Sequence, residues 1–263
     1  MIDRIKVKKT FKDYIDNYDA KDPKVALKIA HTYRVADICQ DIALSEGCMD
    51  KDVDIAWLLG MFHDIGRFEQ LRRYGTFSDA DSIDHAQLSA DLLFVDGLAD
   101  DYVPGLVADR DSGEGSLIEK AIRLHNVFRI PTDLTAREAF FCNLLRDADK
   151  IDIFRVNIDT PPEDIYNVST EELYSSRVSD SVLRSFTEGH ATLRSDRKTA
   201  VDFLAAHTSL SFELVYRRSW EITREQGYLD KMLDFPSRNP KTREQFAWMK
   251  EQIYKYFDRK YKI

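Results

Sequence analysis

From Asp22 to Gly47 the chain reads DPKVALKIAHTYRVADICQDIALSEG. Asp22-Pro23 is an N-cap residue followed by the residue best suited to a first helical turn, and Gly47 suits a terminator. Between them Leu27, His31, Val35, Ile38 and Ile42 fall on one helical face. The same periodicity predicts a second helix from about Asp52 to Phe62, buried on several sides, and a third from about Ile83 to Leu98 with His85, Leu88, Leu92 and Val95 in phase. Ser116 with Glu119 reads as a capping box opening a fourth helix, whose face is Ile118, Ala121, Ile122 and His125. Thr132-Asp133 opens a fifth, with Phe141, Leu145, Asp149, Ile153 and Val156 in phase. Asp100 to Gly115, rich in Asp, Gly and Pro, reads as a surface loop.

Asp159-Thr160-Pro161-Pro162 breaks the chain. Beyond it Glu171 to Leu193, Lys198 to Gly227 and Lys241 to Tyr261 read as helical, the last two separated by Asp234 to Pro240. No stretch alternates with period two for long enough to suggest a sheet, so the expected class is all-α. The expected organisation is a core over residues 1–160 and a helical extension over 161–263 packed on it, or one continuous domain.

Composition removes several function classes. The 263 residues are 43% hydrophobic and 32% charged, the balance of a globular protein with enough apolar surface for a core. Lys+Arg 38 against Asp+Glu 46 gives −8, a poor charge for gripping a nucleic acid duplex by its phosphates. The longest uncharged apolar stretch, Ile55 to Phe62, is far short of the roughly 18–20 residues that cross a bilayer, so no membrane partner is expected. The charged first residues lack a secretory apolar run, and Asn167-Val168-Ser169, a glycosylation sequon, has no meaning without secretion. Three cysteines (Cys39, Cys48 and Cys142) form no CxxC pair and suit a reducing compartment; a cytoplasmic location is expected.

The chemistry lies in six histidines: His31, His63, His85, His125, His190 and His207. His31, His85 and His125 each sit within the apolar stripe of a predicted helix, and His63 follows Leu59 by one turn. Asp149 also falls in an apolar stripe, where an unpaired carboxylate costs several kcal/mol or more. Polar residues aimed inward from five helices call for one common partner, and imidazoles with Asp64 and Asp149 suit a transition metal better than Ca²⁺. His190 and His207 lie outside this set and read as structural or exposed. Asp79-Ala80-Asp81 starts like an EF-hand loop, but Asp84 and Ala90 stand where Gly and Glu are needed. Gly113-Glu114-Gly115 lacks a third glycine and a preceding strand, so it is no dinucleotide fingerprint.

His31, then His63-Asp64-Ile65-Gly66-Arg67, then Asp149 within Leu145-Arg146-Asp147-Ala148-Asp149-Lys150-Ile151-Asp152, resembles the HD superfamily of metal-dependent phosphohydrolases. The resemblance covers about Lys24 to Val156 and implies an HD-domain helical bundle with extra C-terminal helices. With His85 and His125 added, the order H…HD…H…H…D is similar to the dinuclear branch. The resemblance then implies one metal held by His31, His63, Asp64 and Asp149, and a second by Asp64, His85 and His125, with Asp64 bridging. It implies two divalent transition-metal ions (Fe or Mn foremost, with Zn, Ni, Co or Mg as alternatives) and cleavage of a phosphate mono- or diester by a metal-bound hydroxide. Asp64 and Arg67 are then the catalytic residues.

Arg67 stands where many dinuclear relatives carry a lysine beside the substrate phosphate, so it is expected to bind the substrate's anionic group. Lys150 either contacts substrate or is a helix-surface lysine. Arg72 and Arg73 read as a solvated face, and Asp147 and Asp152 as surface or supporting groups, with Asp147 pointing away from the face of Asp149. The stretch His125-Asn126-Val127-Phe128-Arg129-Ile130-Pro131 has neither the paired histidine nor the Gly-Tyr-Pro motif of the cyclic-dinucleotide phosphodiesterases, and Arg67-Phe68-Glu69 lacks the acidic pair of the alarmone hydrolases. The expected partner is a small phosphorylated molecule, a nucleotide or a relative of one. The same ligand pattern also resembles the HD-type diiron oxygenases, and a non-catalytic nucleotide-sensing module is a third reading. The sequence does not specify an oligomeric state.

Overall fold

A computed structural model describes residues 2–111, 113–166 and 168–262, so Asn167 of the sequon lies outside the described residues. Helices make up 71% of the chain, with no strand among the described residues, as the all-α expectation requires. Contacts divide the chain into two compact units, Met1–Ala148 and Asp149–Ile263, the division falling inside one long helix.

In the first unit α1 (Arg4–Ile15), α2 (Pro23–Ser45), α3 (Asp50–Phe62) and α4 (Ile65–Tyr74) are followed by α5 (His85–Ala90), α6 (Ala99–Tyr102), α7 (Glu114–Arg123) and the start of α8 (Ala136–Asp159). α1 went unread in the sequence because its charges mask a stripe of Val7, Phe11 and Ile15, all buried. α2 begins as expected: Asp22 accepts the Lys24 amide at 2.8 Å and Pro23 opens the first turn. α3 is the apolar centre of the unit. Ala56, Leu58, Leu59, Met61 and Phe62 have no exposed surface. It lies so close to α2 that a Cβ on Gly60 would stand 2.4 Å from the Ala36 Cα.

Four boundaries differ from the sequence reading. The expected third helix starts at His85, because Asp84 caps it through the Ala86 and Gln87 amides, and it passes into a π-helical turn over Asp91–Val95. The expected loop after Asp100 contains the last turn of α6, anchored by buried Tyr102 against Phe62. α7 starts at Glu114, ahead of the expected capping box. Glu119 is turned instead to Arg110 and Arg123, at 2.6 and 2.8 Å. The capping box lies farther on, where Thr135 and Glu138 exchange hydrogen bonds and delay the start of α8 to Ala136.

The second unit holds the rest of α8 and α9 (Pro162–Tyr166), α10 (Thr170–Ser175), α11 (Asp180–Glu188), α12 (Ala200–Ser209), α13 (Arg217–Gln226), α14 (Tyr228–Leu233) and α15 (Pro240–Tyr261). The expected helices over 171–193 and 198–227 are each broken. Between α10 and α11 the chain is extended, its Val178 amide and carbonyl both taken by the Gln245 side chain on α15. The Asp202 carboxylate accepts from Ser179, Lys198 and Thr199, pinning the entry of α12. On α15, Phe257 stacks on Trp220 of α13 at 3.9 Å.

Candidate metal centre

α3 ends at Phe62 and α4 begins at Ile65, so His63 and Asp64 form the joint between two helices. Both are buried, Asp64 at 2% relative exposure. Two close backbone approaches set the joint. Gly60 lets α3 press on α2, which carries His31; Gly66 lets α4 press on α5, which carries His85, and its amide donates to Ser89 Oγ at 2.9 Å. An added Cβ on Gly66 would lie 2.7 Å from the Ser89 amide nitrogen.

The two oxygens of Asp64 face different neighbours. Oδ2 lies 3.5 Å from Nε2 of both His31 and His63, and accepts from Lys28 Nζ at 2.6 Å. Oδ1 lies 3.6 Å from His85 Nε2, 3.8 Å from His125 Nε2 and 3.6 Å from Arg67 Nε. Besides an outer group of Asp79, Asp84 and His85, two groups at the joint could each hold an ion, with ligand atoms within 4.8 Å of one another: His31, His63 and Asp149, and Asp64, His85 and His125. All six residues singled out in the sequence therefore enter these clusters, His190 and His207 do not, and Asp64 touches both sets.

The imidazole protons decide what the cluster can hold. His63 Nδ1 lies 2.8 Å from the Gly60 carbonyl and His125 Nδ1 2.7 Å from the Ile122 carbonyl. His85 Nδ1 lies 2.6 Å from Asp79 Oδ2. Carbonyls and carboxylates only accept, so each Nδ1 carries the proton and each Nε2 presents a lone pair. Yet His85 Nε2 is 3.0 Å from His125 Nε2, and His63 Nε2 is 3.2 Å from His31 Nε2. Between His85 and His125 two lone pairs therefore face each other beside the Asp64 carboxylate with no proton between them, which is repulsive alone and which a cation relieves. The arrangement of one ring nitrogen inward and the other donating outward is that of metal-binding histidine. The residues fit a metal.

Electrostatics keep Asp64 and His85 deprotonated. Burial alone would raise the Asp64 carboxyl, but Lys28, His63, Arg67 and His85 together hold it well below the usual carboxylate range. Burial, aided by the Arg67 charge, lowers His85 to about 4 against the pull of Asp79. His85 is therefore neutral and able to coordinate near pH 7.

Arg67 sits in the first turn of α4. Its Nη1 donates to Gln70 Oε1, the Phe77 carbonyl and Asp79 Oδ1 at 2.7, 2.7 and 3.0 Å. Its buried Nε has no hydrogen-bond acceptor. Arg72 and Arg73 both pair with buried Glu69, which also accepts from Tyr18. Lys150 is buried, not a helix-surface residue. Asp147 and Asp152 are also buried, which corrects the surface reading of both.

His190 and His207 have the structural partners expected of them. His190 bonds to Glu188 and the Ala191 carbonyl, and His207 Nδ1 is 2.9 Å from Asn157 Oδ1. Two functional candidates were missed in the sequence. Lys28 precedes His31 by one helical turn, a spacing that places both on one face. Asp79, weighed only as an EF-hand ligand, lies in a short 3₁₀ turn, where no periodicity marks it.

Residues 29–154 match the family model of the HD domain. No curated protein and no solved structure matches the chain.

Proposed function

From an HD domain over residues 29–154, a family of metal-dependent phosphohydrolase type that binds divalent metals, we propose that this chain is a dinuclear phosphohydrolase acting on a small phosphate mono- or diester, a nucleotide or a relative of one. The observation that carries the reading is the convergence of the His63, His85 and His125 Nε2 lone pairs on the Asp64 carboxylate. His31, His63, Asp64 and Asp149 would hold one ion and Asp64, His85 and His125 the other. When bound, such ions supply the Lewis acidity that activates water and neutralises charge building on a phosphoryl group.

The chain's own part is orientation and charge. Gly60 and Ile122 carbonyls aim two imidazoles, and Asp79 aims a third. Arg67, with its unsatisfied Nε beside Asp64, contacts the substrate oxyanion. Lys150 is a further substrate contact.

The test is phosphate release from a panel of nucleotides, sugar phosphates and phosphodiesters, assayed without oxygen in Mn²⁺-loaded protein. Turnover is expected there and is lost in His63→Ala. Silence across the panel, with O₂ consumption by the iron form on an inositol-like or phosphonate substrate, would make the chain an oxygenase instead.

Arg67→Ala is expected to lower kcat/KM by roughly 10- to 150-fold, the worth of one charge-assisted contact. Metal content should stay at the wild-type level, because Gln70 still holds Asp79 Oδ1 at 2.9 Å and Asp79 still holds His85. Unchanged kinetics would leave Arg67 a purely structural bracket for the loop at Phe77.

A further inference from the structure

Lys28 is the one cation besides Arg67 with a described contact to Asp64, and the metal ligands do not account for it. Its Nζ lies 2.6 Å from Asp64 Oδ2, the same oxygen that faces His31 and His63, and its side chain is only 17% exposed. On the other oxygen the matching position belongs to Arg67, 3.6 Å from Oδ1. The two cations both lie over one aromatic ring. Lys28 Nζ is 5.6 Å and the Arg67 guanidinium 5.7 Å from the Phe77 ring. A lysine and an arginine thus flank one carboxylate and share one wall.

That pairing holds only while the carboxylate is the nearest negative charge. With a divalent ion bound at this group, that oxygen would no longer need the ammonium for neutralisation, and two cations on one oxygen repel. The lysine stem is flexible and its ammonium is a mobile point charge, unlike the guanidinium of Arg67, which three acceptors fix. An ammonium released from Asp64 at the rim of the centre needs another anion.

We propose that Lys28 is a second substrate-binding cation, which leaves Asp64 when metal binds and grips an oxyanion of phosphoryl type together with Arg67. The proposal rests on the metal-centre reading above. It makes Lys28 a competitor of the metal and a partner of the substrate. A merely structural lysine would support both kinds of binding or neither.

The experiment measures Mn²⁺ binding, and then inorganic phosphate binding to the Mn²⁺-loaded full chain, by calorimetry. Wild-type protein, Lys28→Met and Lys28→Arg are compared, with circular dichroism to verify folding. Lys28→Met should weaken phosphate binding by on the order of 10- to 100-fold. Its Mn²⁺ affinity should be unchanged or tighter, and Lys28→Arg should keep most of the phosphate affinity. Phosphate affinity unchanged in Lys28→Met overturns the proposal, as does a fall of Mn²⁺ and phosphate affinity together. Wild-type protein that binds Mn²⁺ but no phosphate also overturns it. Wild-type protein that binds no Mn²⁺ overturns the metal-centre reading itself. If Lys28→Met does not fold, Lys28→Gln takes its place under the same criteria.

Discussion

Asp64→Ala should empty both metal positions, whereas His125→Ala should empty only one. The expectation follows from how the carboxylate divides its oxygens: Oδ2 toward His31 and His63, Oδ1 toward His85 and His125. Removing an outer partner of a ligand typically costs roughly 10–100-fold in metal affinity, and removing a shared ligand should cost more. The loss is compounded by Lys28, whose ammonium would lose the one carboxylate it is described to contact. Asp64→Asn is the control for volume: it keeps the shape and loses the charge, and should fail almost as badly. Elemental analysis of protein saturated with Mn²⁺ or Fe²⁺ reads the outcome, with two equivalents expected in the wild type. Saturation at one equivalent would refute the dinuclear centre. Equal loss at both positions in His125→Ala would refute the division of ligands.

The second large effect concerns a residue with no side chain. Gly60→Ala should destabilise the first unit by about 3 kcal/mol or more, at or beyond the upper end of ordinary overpacking. The added methyl carbon would meet the Ala36 Cα at 2.4 Å, the Ala36 nitrogen at 2.5 Å and the Val35 carbonyl carbon at 2.9 Å, all backbone atoms that no rotamer change can move. Relief requires α2 and α3 to part, which separates His31 from His63 and shifts the Gly60 carbonyl that aims the His63 ring. Urea unfolding and metal content should therefore fall together. A Gly60→Ala protein of wild-type stability and full metal content would show that the two helices can separate at no cost.

The sequence was most legible where one helix satisfies its own rules. Asp22-Pro23 marked the start of α2 and the stripe through His31 marked its buried face, because capping and periodicity are local. The six clustered residues could be found because histidines and carboxylates stand out against apolar stripes. Legibility failed where the partner is distant in the chain. Ser116 and Glu119 have the spacing of a capping box, but Arg110 and Arg123 claim the glutamate. Lys28 looks like any solvated lysine until Asp64, 36 residues on, is known to accept from it. Gly60 looks like a flaw in an apolar helix until the backbone of α2 is laid against it. The breaks at 176–179 and after Ser209 also depend on distant partners: Gln245 and Asp202 take up the Val178 and Ser179 backbone at the first, and the Phe212 and Leu214 carbonyls accept from Tyr256 and Lys260 of α15 at the second.

The backbone carbonyls that hold His63 and His125 belong to the residues three positions earlier, Gly60 and Ile122, so each ring takes its proton arrangement from its own helix end. Asp64 is ionised and His85 is neutral at physiological pH. Neither has a proton to surrender when a divalent ion arrives. Should Lys28 give way to a metal as proposed, the exchange at Asp64 would be one cation for another, an ammonium for a metal, and hardly a titration at all. Acidification would begin to compete with the metal at His85 only toward its range near 4. Between there and neutrality, a metal held by these two residues would meet little competition from protons at either of them.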